Sequence, residues 1–274
     1  YDYLHSKLYT FSVLQADETT VFVNKDGRPA GSKSYMWLYR TVESVQKEQI
    51  LLYEYQKTRN SNHPRTFLKS FHGICITDGY QVYHTLEQER EDLQIAGCWA
   101  HVRRRYDEAL KALPKEKRNQ STAHRGLVMI QAIYRNEKPL KELSAEERRE
   151  RRQLSVKPLV EAYFTWVHAT IGQVMPKSKL WEGLNYSINQ ELYLKVFLEN
   201  GNVPIDNNAS ERSIRSFCIG RKNFVMIDTL HGAAASAIIY SIAETAKANG
   251  LKPYEYFELL LTEIPKHLDD DDLN

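Results

Sequence analysis

The hydrophobic and polar positions from Phe11 to about Val42, enriched in β-branched and aromatic residues, predict strands. An apolar run ends at Asp17, a second stretch covers Thr19 to Asn24, Asp26-Gly27 supplies a turn, and Ser34 to Val42 follows, so a hairpin or meander is expected. Gln49 to Gln56 reads as a further strand. Pro64 to Phe71 reads as a short helix and Gly73 to Thr77 as a buried strand ending at Asp78. Ile95 to Ala100 reads as a strand running into an arginine-rich helix that starts near His101.

The period changes after about Tyr106. Residues 107–200 show helical periodicity with few glycines, and predict an all-helical block. Within it, the run from Lys138 to Arg152 mixes both charge signs and reads as a solvated helix face. Beyond Pro204 comes a helix through Asp206 to Arg215, then a short strand candidate at Phe224 to Ile227. A long helix follows from about Gly232 to Asn249, with Ala235, Ile238, Ile239, Ile242 and Ala246 on its apolar face and Asn249-Gly250 and Pro253 as stop signals. A last helix, near Tyr254 to Glu263, precedes an acidic tail at Asp269 to Asp272.

Composition narrows the class without fixing the chemistry. A chain of 274 residues can bury a large core, and 42% hydrophobic with 26% charged residues is ordinary for a globular protein. The net charge of +2 is too small to announce a nucleic-acid partner, so that case rests on local clusters at Arg103 to Arg105, Arg148 to Arg152 and Arg212 to Lys222. Cys75, Cys98 and Cys218 are odd in number and widely spaced, the pattern of reduced thiols in a cytosolic protein. Apolar stretches are short and interrupted, so no membrane segment is expected. The chain starts at Tyr1 and enters a patterned segment almost at once, which reads as a fragment of a longer protein.

The densest chemistry lies in Ile205-Asp-Asn-Asn-Ala-Ser-Glu-Arg-Ser-Ile-Arg215, followed by Gly220-Arg-Lys-Asn223. Read as a helix, it sets Asn207 or Asn208, Glu211 and Arg215 on one side, because positions three and four apart are neighbours. Such a carboxylate among amides and cations suits one metal ligand beside phosphates, and two more acids, Asp17 and Asp78, each end an apolar strand-like run upstream. Taken singly, each acid has a plainer reading: Asp17 or Asp78 as a turn residue, Asp206 as a helix cap, Glu211 as the surface partner of Arg215. Spacing alone leaves these alternatives open.

Several strings taken together carry more. Ala16-Asp-Glu-Thr19, Thr77-Asp-Gly-Tyr80, Cys98-Trp-Ala-His-Val-Arg-Arg104, Asp206-Asn-Asn-Ala-Ser-Glu-Arg212 and Gly220-Arg-Lys-Asn223 occur in that order. In identity and order they resemble the insertion-sequence-66 family of bacterial DDE transposases, and Thr245 to Pro253 fits that family's C-terminal pattern. The resemblance runs from about Leu14 to Leu260. It implies an α/β, RNase H-like mixed sheet with flanking helices, interrupted by an all-helical insertion. The core would occupy residues 1–106 and 201–265, the insertion 107–200 and the tail 266–274.

The same resemblance implies Asp17, Asp78 and Glu211 as a catalytic, metal-binding triad using Mg2+, with Mn2+ as a substitute. It implies cleavage at transposon ends and strand transfer to target DNA. It also implies a bacterial, cytoplasmic and nucleoid-associated setting, with a homo-oligomer and accessory transposition proteins as open partners. Arg103, Arg104, Arg212, Arg215, Arg221 and Lys222 are candidate DNA contacts, and Asn207 and Asn208 candidate organisers of the site. Cys98 and His101 lack a second Cys/His pair at suitable spacing, so no zinc is expected. Trp99 reads either as a base-stacking residue or as core, and His101 either as a brace of the active site or as a buried joint. A nuclease or resolvase on the same fold, or a catalytically silent DNA-binding descendant, stands as the alternative. The family's upstream DNA-binding and oligomerisation segments have no match in this sequence.

Overall fold

The computed structural model describes residues 1–29, 31–43 and 48–267; the acidic tail Asp269–Asp272 lies outside the described residues. In chain order the elements are α1 (Asp2–Leu8), β1 (Val13–Lys25), β2 (Lys33–Thr41), β3 (Leu51–Gln56), α2 (Asn62–Phe67), β4 (Gly73–Ile76), α3 (Gln81–Gln88), β5 (Leu93–Ala96) and α4 (Trp99–Lys111). There follow α5 (Lys115–Arg118), α6 (Thr122–Glu137), a 3-10 turn (Lys138–Glu142), α7 (Ala145–Arg151), a π turn (Arg152–Val156), α8 (Lys157–Ile171), α9 (Lys179–Asn189) and α10 (Glu191–Glu199). The chain continues through α11 (Asn208–Phe224), β6 (Ile227–Thr229), α12 (Leu230–Ala248) and α13 (Pro253–Glu263). The strands form one mixed sheet in the order β3-β2-β1-β4-β5, with β6 beside β1. That is the mixed α/β architecture expected of an RNase H-like fold.

The chain divides into two compact units, one of Tyr1–Phe11, Ala16–His63 and Ser210–Asn274, the other of Ser12–Gln15 and Pro64–Ala209. In the first, β2 and β3 pair antiparallel from Tyr35 opposite Gln56 to Arg40 opposite Leu51. Val21, Met36, Leu38, Leu51 and Tyr53 form its core with Ile214 and Phe217 of α11 and Ala237 of α12. The outer edge of β3 is closed by α12. Ser241 Oγ accepts from Tyr53 N (2.7 Å), Thr245 Oγ1 accepts from Leu51 N (3.0 Å) and donates to Leu51 O (3.1 Å), and Asn249 bonds both Gln49 N (2.9 Å) and Gln49 O (2.7 Å).

The match is metrical. Four helical residues rise about 6 Å and two strand residues about 6.8 Å, so every fourth side chain of the helix meets the next outward-facing amide of the strand, two residues along. The apolar stripe expected on α12 is accordingly displaced. Its buried residues are Ala233, Ala237, Ser241, Glu244 and Ala246, whereas Ile238 and Ile239 are exposed, because small and hydroxyl side chains let the helix approach the strand backbone.

The second unit carries a parallel set: β1 pairs with β4 (Val13, Leu14 and Gln15 opposite Ile74, Cys75 and Ile76), and β4 pairs with β5 (Gly73 to Ile76 opposite Leu93 to Ala96). Gly73 is required there, since its φ is +146° and a Cβ would lie 2.3 Å from Ser12 O. Helices α4 to α10 enclose Trp99, Tyr106, Tyr163 and Phe164, all fully or nearly fully buried with rings in edge-on contact. The helical reading of residues 107–200 therefore matches the secondary structure.

The solvated face expected from Lys138 to Arg152 is corrected. Arg148 and Arg152 are buried. Arg148 donates to the carbonyls of Leu140, Lys141, Leu143 and Gly201, while Arg152 pairs with buried Glu137 and donates to the carbonyls of Phe197 and Asn200. The carbonyls freed around the 3-10 turn, the π turn and the end of α10 need donors, and two guanidinium forks supply them.

Three smaller expectations also shift. The strand expected at Ile95 to Ala100 is Leu93–Ala96, with Trp99 and Ala100 already helical. The strand expected at Phe224 to Ile227 is Ile227–Thr229, since Phe224 ends α11 and Val225 takes φ +63°. Helices α1 and α3 stand where no element was expected.

Candidate active site

In the first unit, Asp17 lies on β1, part-buried, with its Oδ1 accepting from Glu18 N (2.8 Å). Its neighbour Glu18 is committed elsewhere, in an ion pair with Arg59. Glu211 lies in the first turn of α11, also part-buried. That helix buries Ser210, Ser213, Ile214 and Phe217, a 3–4 spacing that turns the flank bearing Glu211, Arg215 and Lys222 away from the core.

Two groups seat α11. Buried Arg40 of β2 donates through Nη1 to Ser213 Oγ (2.9 Å), and Tyr53 Oη donates to Ser213 O (2.8 Å). Arg212 and Arg215 are exposed, and the Arg212 guanidinium lies 3.9 Å from Glu43. Arg221 is used internally. Its Nη1 donates to Thr20 O and to the hydroxyls of Thr19 and Thr20 (3.1 Å each), tying the end of α11 to β1.

In the second unit, Asp78 follows β4 by two residues. Its Oδ1 accepts from Tyr80 N (3.0 Å), closing a turn in which Gly79 takes φ +89°. Tyr186 of α9 donates its hydroxyl to Asp78 O (2.7 Å), and the Arg105 guanidinium sits 4.2 Å over the Tyr186 ring. Burial, the largest influence, raises the Tyr186 phenol well above its ordinary range and keeps it a donor.

The Asp206 segment is anchored on every side. Gln15 Nε2 donates to Asp206 O (3.3 Å), Tyr134 Oη to Asp206 Oδ2 (3.0 Å), and Asn208 N to Asp206 Oδ1 (3.1 Å). Asp206 thus closes the approach to α11, in keeping with its reading as a cap. Asn207 is fully buried and precedes the helix, in place of sharing its face with Glu211; its N–H donates to Cys98 Sγ (3.1 Å). Burial pushes the Cys98 thiol up to about 12.

Trp99 has no exposed face, and its Nε1 donates to Leu194 O (2.9 Å), so it is a core residue. His101 Nε2 meets Arg104 Nη1 at 3.3 Å, and Arg103 and Arg104 are exposed on α4. Gln15, Arg40, Tyr134 and Tyr186 carry no sequence signal of their own. Each lies far along the chain from the motif residue that it positions.

Carboxylate oxygens are the donors that Mg2+ takes, so the chemistry of Asp17, Asp78 and Glu211 fits a hard divalent cation. Among the described residues no three His, Cys, Asp or Glu side chains are gathered closely enough to hold a metal ion.

Comparison with known proteins resolves what this arrangement belongs to. Residues 1–235 match the Transposase IS66 family, and residues 241–274 match the IS66 C-terminal element. The chain belongs to the IS66 family of transposases. The C-terminal element of this IS66 family chain contains Ser241, Thr245 and Asn249, the side chains that close the β3 edge.

Two curated relatives come from Sinorhizobium fredii (strain NBRC 101917 / NGR234). Uncharacterized protein y4qI is 28% identical over 273 residues, covering 96% of this chain and 50% of the relative. Uncharacterized protein y4jD is 27% identical over 217 residues, covering 77% and 42%. The IS66 chain spans about half the length of the curated relatives it matches. Among the described residues, no helix is long and apolar enough to cross a membrane.

Proposed function

We propose that this IS66 family member is a metal-dependent DNA transposase in which Asp17, Asp78 and Glu211 act together on a phosphodiester. One observation carries the reading beyond family membership. The paired residues of β1 and β4, Val13 with Ile74, Leu14 with Cys75 and Gln15 with Ile76, are all offset by 74 − 13 = 61 positions. Asp17 and Asp78 are offset by 78 − 17 = 61 as well. Both acids follow the paired stretch at the offset that the parallel register keeps, which supports reading them as a pair.

The residues divide the work. Asp17, Asp78 and Glu211 would hold Mg2+, or Mn2+ in its place; when bound, divalent metal supplies the Lewis acidity that activates an attacking oxygen and stabilises the leaving 3′-oxygen. Exposed Arg103 and Arg104, and separately Arg212, Arg215 and Lys222, meet phosphates of transposon-end and target DNA. Arg221 acts on β1 and orients α11. Asn208 and buried Asn207 fix the entry to the helix that bears Glu211.

Incubating the chain with transposon-end DNA and Mg2+ or Mn2+ tests the reading. Asp17→Asn, Asp78→Asn and Glu211→Gln are each expected to abolish cleavage while leaving the far-UV circular dichroism unchanged. Full cleavage by any one of them would sink the triad. Products in which the end is joined to a second DNA separate a transposase from a nuclease that uses water alone.

A further inference from the structure

The turn that carries Asp78 is held from outside its own strand. Strand β4 ends at Ile76, so Asp78 sits on a loop, and a loop carboxylate left to itself samples many orientations. Three features remove that freedom. Tyr186 Oη donates to Asp78 O at 2.7 Å, the Asp78 carboxylate closes back onto Tyr80 N at 3.0 Å, and Gly79 adopts φ +89°. The approach is close. A Cβ on Gly79 would lie 2.9 Å from both Gln190 Oε1 and Tyr186 Oη.

Gln190 is buried and ends α9 while starting α10, so these two helices present one phenol and one amide to the Asp78-Gly79 backbone. The Tyr186 ring is itself clamped by Arg105 from α4. The hydrogen bond goes to the peptide of a residue whose carboxylate has a separate use.

We propose that Tyr186, backed by Gln190, is a positioning residue that fixes the Asp78 carboxylate for divalent metal. The inference rests on the assignment of Asp78 to the metal site and goes beyond it by naming what holds Asp78 in place. Loss of a group that orients a metal ligand costs on the order of 10- to 100-fold in metal affinity. Tyr186→Phe removes one hydroxyl and keeps the ring beneath Arg105, so its effect falls on Asp78 more than on packing.

The test is Mn2+ binding to the 274-residue chain, read by the loss of free-ion electron paramagnetic resonance signal, with cleavage measured across Mn2+ concentration. Tyr186→Phe is expected to weaken Mn2+ binding on the order of 10-fold and to recover its cleavage rate at high Mn2+. Gly79→Ala, which pushes on the same two side chains, is expected to shift binding in the same direction and serves where Tyr186→Phe fails to fold. Asp78→Asn is the reference. If Asp78→Asn binds Mn2+ and cleaves like the parent, or if the parent binds no Mn2+, the metal assignment itself falls. If Asp78→Asn loses binding while folded Tyr186→Phe and Gly79→Ala titrate like the parent, the assignment stands and the positioning role is refuted. A lowered melting temperature with unchanged Mn2+ affinity also refutes it.

Discussion

Removing the hydroxyls with which α12 closes the β3 edge should unfold that edge selectively. The perturbation is Ser241→Ala combined with Thr245→Val. The first leaves the Tyr53 amide without the Ser241 acceptor, and the second, nearly isosteric, leaves both the Leu51 amide and carbonyl without Thr245. A buried backbone group deprived of its partner costs roughly 1–3 kcal/mol, so the three groups should cost roughly 3–9 kcal/mol, a large share of the ~5–15 kcal/mol that holds a typical domain folded.

Hydrogen exchange of the peptide spanning Leu51 to Gln56 reads these amides directly, and each ~1.4 kcal/mol of lost stability accelerates local opening about tenfold. Ser236→Ala is the control, because Ser236 Oγ donates to Gly232 O within the same helix, and it should leave β3 exchange unchanged. An exposed strand edge also templates pairing with other chains, so the double variant should associate on size-exclusion chromatography. A double variant that loses less than ~1 kcal/mol, or a Ser236→Ala that exchanges as fast, would refute the edge-closure argument.

Arg152→Met should destabilise the chain by about 3–5 kcal/mol in a urea titration, since it strands buried Glu137 as an unpaired charge; Arg152→Met with Glu137→Leu should recover most of the loss, and a double variant as unstable as the single would count against it. Glu54, raised from 4.5 to about 7 mainly by burial, should make stability fall with pH. Below pH 4.5 both states hold the proton, between 4.5 and 7 only the folded chain keeps it, and above 7 a loss of at most about 3 kcal/mol is complete. Glu54→Gln should flatten that slope in melts from pH 4 to 8. Arg103→Gln with Arg104→Gln should weaken DNA binding and reduce the slope of log affinity against log salt by about 0.9 for each phosphate no longer neutralised; an unchanged slope would remove α4 from the DNA interface.

What the sequence disclosed and what it concealed follow from range. Strands β1 to β3 announce themselves by local β-branched and aromatic enrichment, β4 by a short apolar run, and α12 by its Asn249-Gly250 stop, because those signals sit within one element. The 61-residue interval between Asp17 and Asp78 takes on meaning only beside the equal offset of the β1–β4 register. Arg148 and Arg152 misled because a mixed-charge run looks the same whether solvent or a set of unpaired carbonyls waits beside it; the carbonyls belong to turns and to the end of α10, up to 53 residues away. The stripe of α12 misled for the opposite reason. Its isoleucines satisfy a helical period, yet the partner is a strand edge that wants hydroxyls and small side chains. Tyr186 left no trace, since one tyrosine in a helix full of aromatics has nothing to mark it.

The junction at Gln190 has a consequence for descent. Because α9 passes into α10 through that single residue, no linker exists in which a length change could be absorbed. Deleting one residue between Tyr186 and Leu194 would rotate everything beyond it by about 100°. That turn would carry the Leu194 carbonyl away from Trp99, and either Gln190 or Tyr186 away from Gly79. The spacing of Tyr186, Gln190 and Leu194 should therefore be inherited as a fixed interval, free to change its letters but not its count, while the turn at residues 172–178 is where lineages can lengthen or shorten.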